Sequence, residues 1–328
     1  MNELKKVNLG RSEIKITKTG LGCWQFSGGS GGVGGRYWPV LSPEIMNEIV
    51  RVALEGGINW FDTAEAYGSG KSERNLANAL YATGIKNGDV IIATKWFPFP
   101  RRAKSIRKTI EKRLHYLDGF GIDLHQIHQS FALASTKGMM DAMADLVKND
   151  KIRSIGVSNW SASKMRRGYE ILEEKHDLPL VSNQVKYSLL DRKIETNGIL
   201  ETAKELGITI IAYSPLEQGL LTGRFHEDPS LIKKLGRLRK MWSFGLRPKK
   251  KLKRTRPLIE ALGEIAQTHN ATPAQISLNW LIDFHGDSVV VIPGASKASQ
   301  IEQNIGAMRV KLSKDEMSRI DELTKQYM

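Results

Sequence analysis

Four ionisable side chains, Asp62, Tyr67, Lys95 and His128, fall at corresponding places in a repeating sequence pattern. In INWFDTAEAYG, residues Ile58, Trp60 and Asp62 alternate with Asn59, Phe61 and Thr63 as on a short strand, and Tyr67 lies just past its end. VIIATK ends in Lys95, and IDLHQIH ends in His128. If these runs are parallel strands, their carboxyl ends meet at one edge and the side chains converge there. Such a set suits proton transfer to a carbonyl oxygen. A free phenol ionises near pH ~10, and a Lys ammonium within hydrogen-bonding reach favours the phenolate and lowers that value. Asp62 would hold Lys95 charged and in place, while His128 could donate to the carbonyl oxygen. Each residue alone has a plainer reading, as a turn cap, a solvated Lys or a core His. Their conjunction points to chemistry.

Other chemistries find less support. Cys23 is the sole thiol, and no Ser has an evident His and Asp partner, which disfavours covalent catalysis. His125 and His128 are three apart on a predicted strand and point to opposite faces, with no Cys or acidic cluster to complete a metal site. A proton donor without a nucleophile needs a hydride source, which must be a cofactor.

The positioning elements repeat in order. Eight apolar runs read as strands: 21–26, 58–64, 90–95, 122–128, 152–159, 180–188, 209–216 and 288–295. Amphipathic helical segments separate most of them. Ser42-Pro43 marks one helix start, Thr272-Pro273-Ala274-Gln275 a capping box with Pro in first position, and Ser313-Lys314-Asp315-Glu316 another box. KKVNL and EIKIT around Gly10-Arg11-Ser12 predict an amino-terminal β-hairpin. This alternation predicts an α/β chain closed as a (β/α)8 TIM barrel, one domain over residues 1–328, with a doubly wound open sheet as the competitor. Gly29, Gly31 and Gly34 satisfy G-x-G-x-x-G, but Arg36 to Pro39 intervene before any helix, so a loop is expected rather than a dinucleotide fingerprint. From Glu217 to about Arg256 no periodic element is evident, and a long basic loop after the seventh strand is expected.

Composition sets the class. The 328 residues are 41% hydrophobic and 26% charged, enough for a full core. One cysteine and the lack of a signal-like or membrane-length apolar run lead to the expectation of a cytoplasmic protein without a membrane association. The net charge of +14 is concentrated: residues 224–256 hold 13 Lys or Arg against Glu227 and Asp228. A single basic segment argues for one anionic target, such as an anionic cofactor or substrate, or for a solvated lid. Without interleaved aromatics or a recognised module, RPKKKLKRTR is a poor nucleic-acid element.

FDTAEAYG, ATK, DLHQIH, GVSN, AYSPLEQGLLTGR and IPGASKASQIEQN, in this order and spacing, resemble the aldo-keto reductases. The similarity is greatest to the branch with potassium-channel β-subunits and bacterial stress-response reductases, and it runs from the hairpin to the last helix. The resemblance implies an NADP(H)-binding barrel that reduces aldehydes or ketones, with Tyr67 as proton donor and Asp62, Lys95 and His128 as its partners. It also implies that Ser158, Asn159 and Gln184 hold the nicotinamide carboxamide and that Tyr213 stacks on its ring. Ser214, Pro215, Leu216, Gly219 and Arg224 would follow the pyrophosphate, and Gly294, Ser296, Lys297, Gln300, Gln303 and Asn304 the adenosine end. Gly22, Cys23, Trp24 and Asp62 complete the expected cofactor set, and Trp24, Trp96, Phe97, Phe99 and Gln129 the substrate pocket.

A helix beginning near Ala298 would offer free N–H groups to a phosphate, with Lys297 and Arg224 adding charge, which favours NADP over NAD. The chain departs from the family at Gln129, often aromatic, at Gln303, often Glu, and at Gln300, often Arg. Its partners are then a small carbonyl compound and, compatibly, further copies of itself. An accessory subunit that binds NADPH to sense it is the alternative to an enzyme.

Overall fold

The computed structural model describes residues 4–29 and 37–328. Gly31 and Gly34 of the glycine motif lie outside them. The chain opens with β1 (Lys6–Asn8) and β2 (Lys15–Thr17), an antiparallel hairpin in which Val7 faces Ile16. The core strands follow: β3 (Leu21–Gly22), β4 (Trp60–Asp62), β5 (Ile91–Trp96), β6 (Leu124–Ile127), β7 (Ser154–Ser158), β8 (Leu180–Lys186), β9 (Thr209–Tyr213) and β10 (Val289–Val291). All seven neighbouring pairs, from β3–β4 to β9–β10, are parallel. Parallel bridges from Thr19 to Val291 and from Gly22 to Gly294 bring the first strand against the last and close the barrel.

Helices cover the outside: α1 (Pro43–Glu55), α2 (Lys71–Ala82), α3 (Lys104–Tyr116), α4 (Thr136–Lys148), α5 (Ala162–His176) and α6 (Ile199–Leu206). After β9 come α7 (Arg224–Glu227), α8 (Arg237–Phe244), α9 (Pro248–Thr268) and α10 (Pro273–Asp283), and after β10 come α11 (Ala298–Ala307) and α12 (Lys314–Thr324). Local chemistry starts them. Ser42, Ser135 and Ser161 each cap a helix through the side chain, and Thr272 and Ser313 form the two expected capping boxes with Gln275 and Glu316.

Strand alternation splits the apolar residues into two layers. Phe61, Ile92, Ile127 and Val157 face outward onto the helices. Trp60, Ala93, Leu124, Val181 and Ile211 face the barrel axis, where Val7, Leu9, Ile14 and Ile16 of the hairpin pack on them. The hairpin thus plugs the amino-terminal end of the barrel, and each of its buried side chains contributes up to about 2 kcal/mol. Gly10 closes the hairpin directly on the barrel backbone: a Cβ there would lie 2.4 Å from Val181 O, and its φ is +56°.

Two expectations are corrected. The first core strand is shorter than 21–26, because after Gly22 the chain turns into a 3-10 helix, Trp24–Ser27. The segment 217–256 is not an extended loop but a series of short helices leading into α9, whose first residue is Pro248. Leu252, Leu258, Ile259 and Leu262 are buried along α9 at helical spacing, and Leu220, Phe225, Ile232, Phe244 and Leu252 form a separate small core. The basic residues between them hid this periodicity, since they occupy the exposed positions of the first turns. Among the described residues no helix is long and apolar enough to cross a membrane.

Candidate active site

Asp62, Tyr67, Lys95 and His128 meet at the carboxyl end of the barrel, because β4, β5 and β6 run in register side by side. Asp62 is the last residue of β4, and Lys95 is the inward residue next to the end of β5. Asp62 and Lys95 are buried and joined as an ion pair through Oδ1. Lys95 Nζ also donates to Thr63 O at 2.9 Å and to Tyr67 Oη at 3.5 Å. The His128 ring stands edge-on to Tyr67, with centroids 5.6 Å apart. Lys95 is therefore one ammonium shared between a carboxylate and a phenol.

A second layer fixes Asp62. Its Oδ2 accepts from Gln184 Nε2 at 2.9 Å and from Gln126 Nε2 at 3.2 Å. Gln126 was not anticipated, although strand alternation puts residues 124, 126 and 128 on one face. Gln184, expected to face the nicotinamide, has its amide nitrogen engaged on the carboxylate.

Burial and charge set the protonation states. Burial pushes the Tyr67 phenol up and outweighs Lys95, which pulls it down, so the expectation of a lowered value is reversed. Burial is the largest single influence on Lys95 and works against the ammonium, but Asp62 and Tyr67 together outweigh it and the value is raised. His128 is held well below the ordinary imidazole range by burial and then by the charge of Lys95, and it is neutral at physiological pH. The thiol of Cys23 is pushed well up by burial and then by Asp62, and is no nucleophile.

Around this centre the expected cofactor residues form a band along the same face. Gly22 bridges Gly294, and a Cβ on Gly22 would lie 2.8 Å from Ile292 O. Cys23 N donates to Asp62 O at 2.8 Å, and the Trp24 ring stacks on Tyr67 at 5.9 Å. Ser158 Oγ donates to Gln184 O at 2.8 Å, and Asn159, at φ +61°, donates to His128 O at 3.3 Å and accepts from Tyr213 Oη at 3.0 Å. Ser214 (φ +53°) and Gln218 (φ +58°) sit on either side of Pro215 and Leu216 in a tightly turned backbone. A Cβ at Gly219 would lie 2.9 Å from Arg224 Nη2. Ser296 N donates to Gln300 Oε1 at 2.8 Å across the start of α11, where Lys297 is exposed and supplies no side-chain cap. Gln303 is half-buried one turn further on, and Asn304 is buried.

The pocket residues divide. Phe97 stands edge-on to His128 at 5.9 Å, and its N–H donates to Glu65 Oε1 at 2.6 Å. Gln129 is half-buried beside His128. Phe99 is exposed and meets Phe131 at 6.0 Å. Trp96 is a correction: it is fully buried in the helix-facing core, with its indole N–H donating to Ser105 Oγ at 3.0 Å. Since Lys95 points inward, its neighbour on the strand must point outward. A different aromatic wall was missed. Tyr37 stacks on Trp24 at 4.9 Å, Trp38 meets Trp24 edge-on at 5.6 Å, and Trp242 of α8 reaches Tyr37 at 5.9 Å. Arg239 lies 4.5 Å over Trp38. These residues come from connections remote in sequence, and no spacing announces them.

Residues 18–325 match the model of the Aldo/keto reductase family. An uncharacterised oxidoreductase of Mycobacterium tuberculosis is 37% identical over 91% of this chain and 86% of its own. The pyridoxal reductase of Arabidopsis thaliana chloroplasts is 30% identical over 98% of this chain and 86% of its own. The crystal structure of a thermostable aldo-keto reductase in complex with the inhibitor epalrestat superposes with a TM-score of 0.75 at 31% identity, covering 98% of this chain and 100% of that one. With a family match along nearly the whole chain, on a closed parallel barrel, this chain belongs to the aldo/keto reductase family of oxidoreductases.

Proposed function

We propose that the chain reduces aldehydes or ketones to alcohols with NADPH, with Tyr67 as the proton donor. One observation carries this reading: Lys95 touches both Asp62 and Tyr67, with the His128 ring at the edge of the phenol. A bound NADPH would supply a hydride to the carbonyl carbon. Tyr67, protonated at neutral pH, gives its Oη proton to the carbonyl oxygen, and the phenolate left behind lies beside the Lys95 ammonium. Neutral His128 orients the oxygen by donating an N–H, so it adds a directed dipole without competing as an acid.

The residues present fit a dinucleotide. Asn304 Nδ2, Gln218 Oε1 and Arg224 Nε are buried and have no hydrogen-bond partner among the described residues. Gly219 leaves a cradle beside Arg224 that a Cβ would fill. Ser158, Asn159, Gln184 and Tyr213 would hold the nicotinamide, residues 214–219 and Arg224 the pyrophosphate, and Gly294 to Asn304 the adenosine. Lys297 and the uncapped start of α11 favour a 2′-phosphate, hence NADP over NAD.

The test is a panel of carbonyl compounds, pyridoxal included, assayed with NADPH and NADH in parallel on wild type and Tyr67→Phe. Turnover in wild type that prefers NADPH and is lost in Tyr67→Phe with cofactor binding intact is expected. Tight NADPH binding without turnover on any carbonyl would overturn the enzymatic reading.

A further inference from the structure

The basic segment that marks the sequence has a place in the structure that carbonyl reduction does not use. Arg247, Lys250, Lys251 and Arg254 fall at positions i, i+3, i+4 and i+7 around the start of α9, and so share one face of the helix. That face borders a cavity of about 340 Å³ whose other walls are Leu190, Thr255 and Tyr327. Among the described residues, none of those lining it is acidic.

The charges around it are unevenly used. Lys251 is committed, donating to Ser243 O at 2.7 Å with Glu217 4.0 Å away. Arg254 Cζ lies over the Tyr327 ring, 4.7 Å from its centroid, while the buried Tyr327 hydroxyl makes no well-formed hydrogen bond among the described residues. Among the described residues, Arg247, Lys250 and Arg254 have no carboxylate within ion-pair distance, whereas the exposed Arg51 is paired with both Glu48 and Glu55. Like charges held together on one face repel, and a counter-anion relieves that repulsion. Two guanidiniums present forked donors that match phosphate oxygens, and a Lys ammonium adds a point charge.

We propose that this cavity is a binding site for a phosphate-bearing anion, separate from the dinucleotide band. The cavity accepts a phosphomonoester or diphosphate with a small organic body. Arg247 and Arg254 take the phosphate oxygens bidentately, Lys250 adds charge, and Tyr327 Oη donates one further hydrogen bond.

Isothermal titration of the full-length protein with inorganic pyrophosphate tests the site, with NADP+ present so that the dinucleotide band is filled. Expected is saturable binding that weakens as ionic strength rises, falls at least tenfold in Arg247→Ala/Lys250→Ala/Arg254→Ala, and is unchanged in Arg224→Ala. The triple variant alters exposed side chains, so an unchanged far-ultraviolet spectrum and unchanged carbonyl reduction are expected alongside. Cosedimentation with phosphatidylcholine vesicles, with and without phosphatidic acid, separates the sources of the phosphate. Retention only on phosphatidic acid, lost in the triple variant, assigns the site to a lipid headgroup, and binding of pyrophosphate alone assigns it to a soluble ligand. Wild-type affinity in the triple variant, or no saturable binding of either probe by wild type, overturns the proposal whether or not the chain reduces carbonyls.

Discussion

Gln184 Nε2 donates to Asp62 Oδ2 at 2.9 Å, joining residues 122 positions apart in sequence. Asp62 spends its other oxygen on Lys95, so the glutamine decides where the carboxylate, and through it the ammonium, can sit. Gln184→Leu removes one hydrogen bond to a buried charge, a contribution of about 1.5–3 kcal/mol. The kcat is expected to fall roughly 10- to 100-fold, since about 1.4 kcal/mol in the barrier is tenfold in rate. An unchanged kcat would assign Asp62's position to Lys95 and Gln126 alone.

Lys95→Met should end turnover and also destabilise the fold, because it leaves Asp62 charged and buried without its cation. Breaking such a pair costs about 3–5 kcal/mol. The double variant Asp62→Asn/Lys95→Met removes both charges and is expected to recover most of that stability in denaturant unfolding, but none of the activity. A double variant as unstable as the single one would show that the pair's charge balance is not the cause.

Stability should vary with pH through Glu73. Burial raises its carboxyl to about 7, against Arg113 and Thr94, which favour the charged form. In the unfolded chain the same group ionises near pH ~4.3. Between these values the folded state holds the proton that the unfolded state has lost, so stability falls as pH rises through that window, and the penalty is complete above about 7. Glu73→Gln never ionises. Its stability relative to wild type is therefore expected to be higher at pH 8 than at pH 5, as read by unfolding midpoints at both; a constant difference would contradict the assignment.

Trp242 is 74% exposed, yet its ring reaches Tyr37, which stacks on Trp24 beside Tyr67. If that aromatic run borders the substrate, Trp242→Ala raises KM for bulky aromatic aldehydes several-fold, by about 1 kcal/mol of lost stacking. The kcat and the KM of a small aliphatic aldehyde should hold. Equal effects on both substrates would place Trp242 in the packing of α8 instead.

The barrel and the centre of the site were legible from the residues alone. Strand alternation fixes which residues face inward, so Asp62, Lys95 and His128 at matching ends of neighbouring strands had to meet. It fixes the outward direction of Trp96 as well, because that residue follows an inward Lys95. Capping boxes at Thr272 and Ser313 were legible for a similar reason, since the hydrogen bonds that make them span only three residues.

Other features depend on contacts between distant segments or on competing energies, which no local pattern records. The helices within residues 217–256 bury apolar residues against one another and against α9, an arrangement that a run of lysines and arginines conceals. The wall of Tyr37, Trp38 and Trp242 arises where two connections cross over the barrel mouth. The Tyr67 shift, expected downward, runs upward for the same reason: the sequence names the ammonium beside the phenol but not how much water both have lost. Folding removes that water, and burial then outweighs the charge.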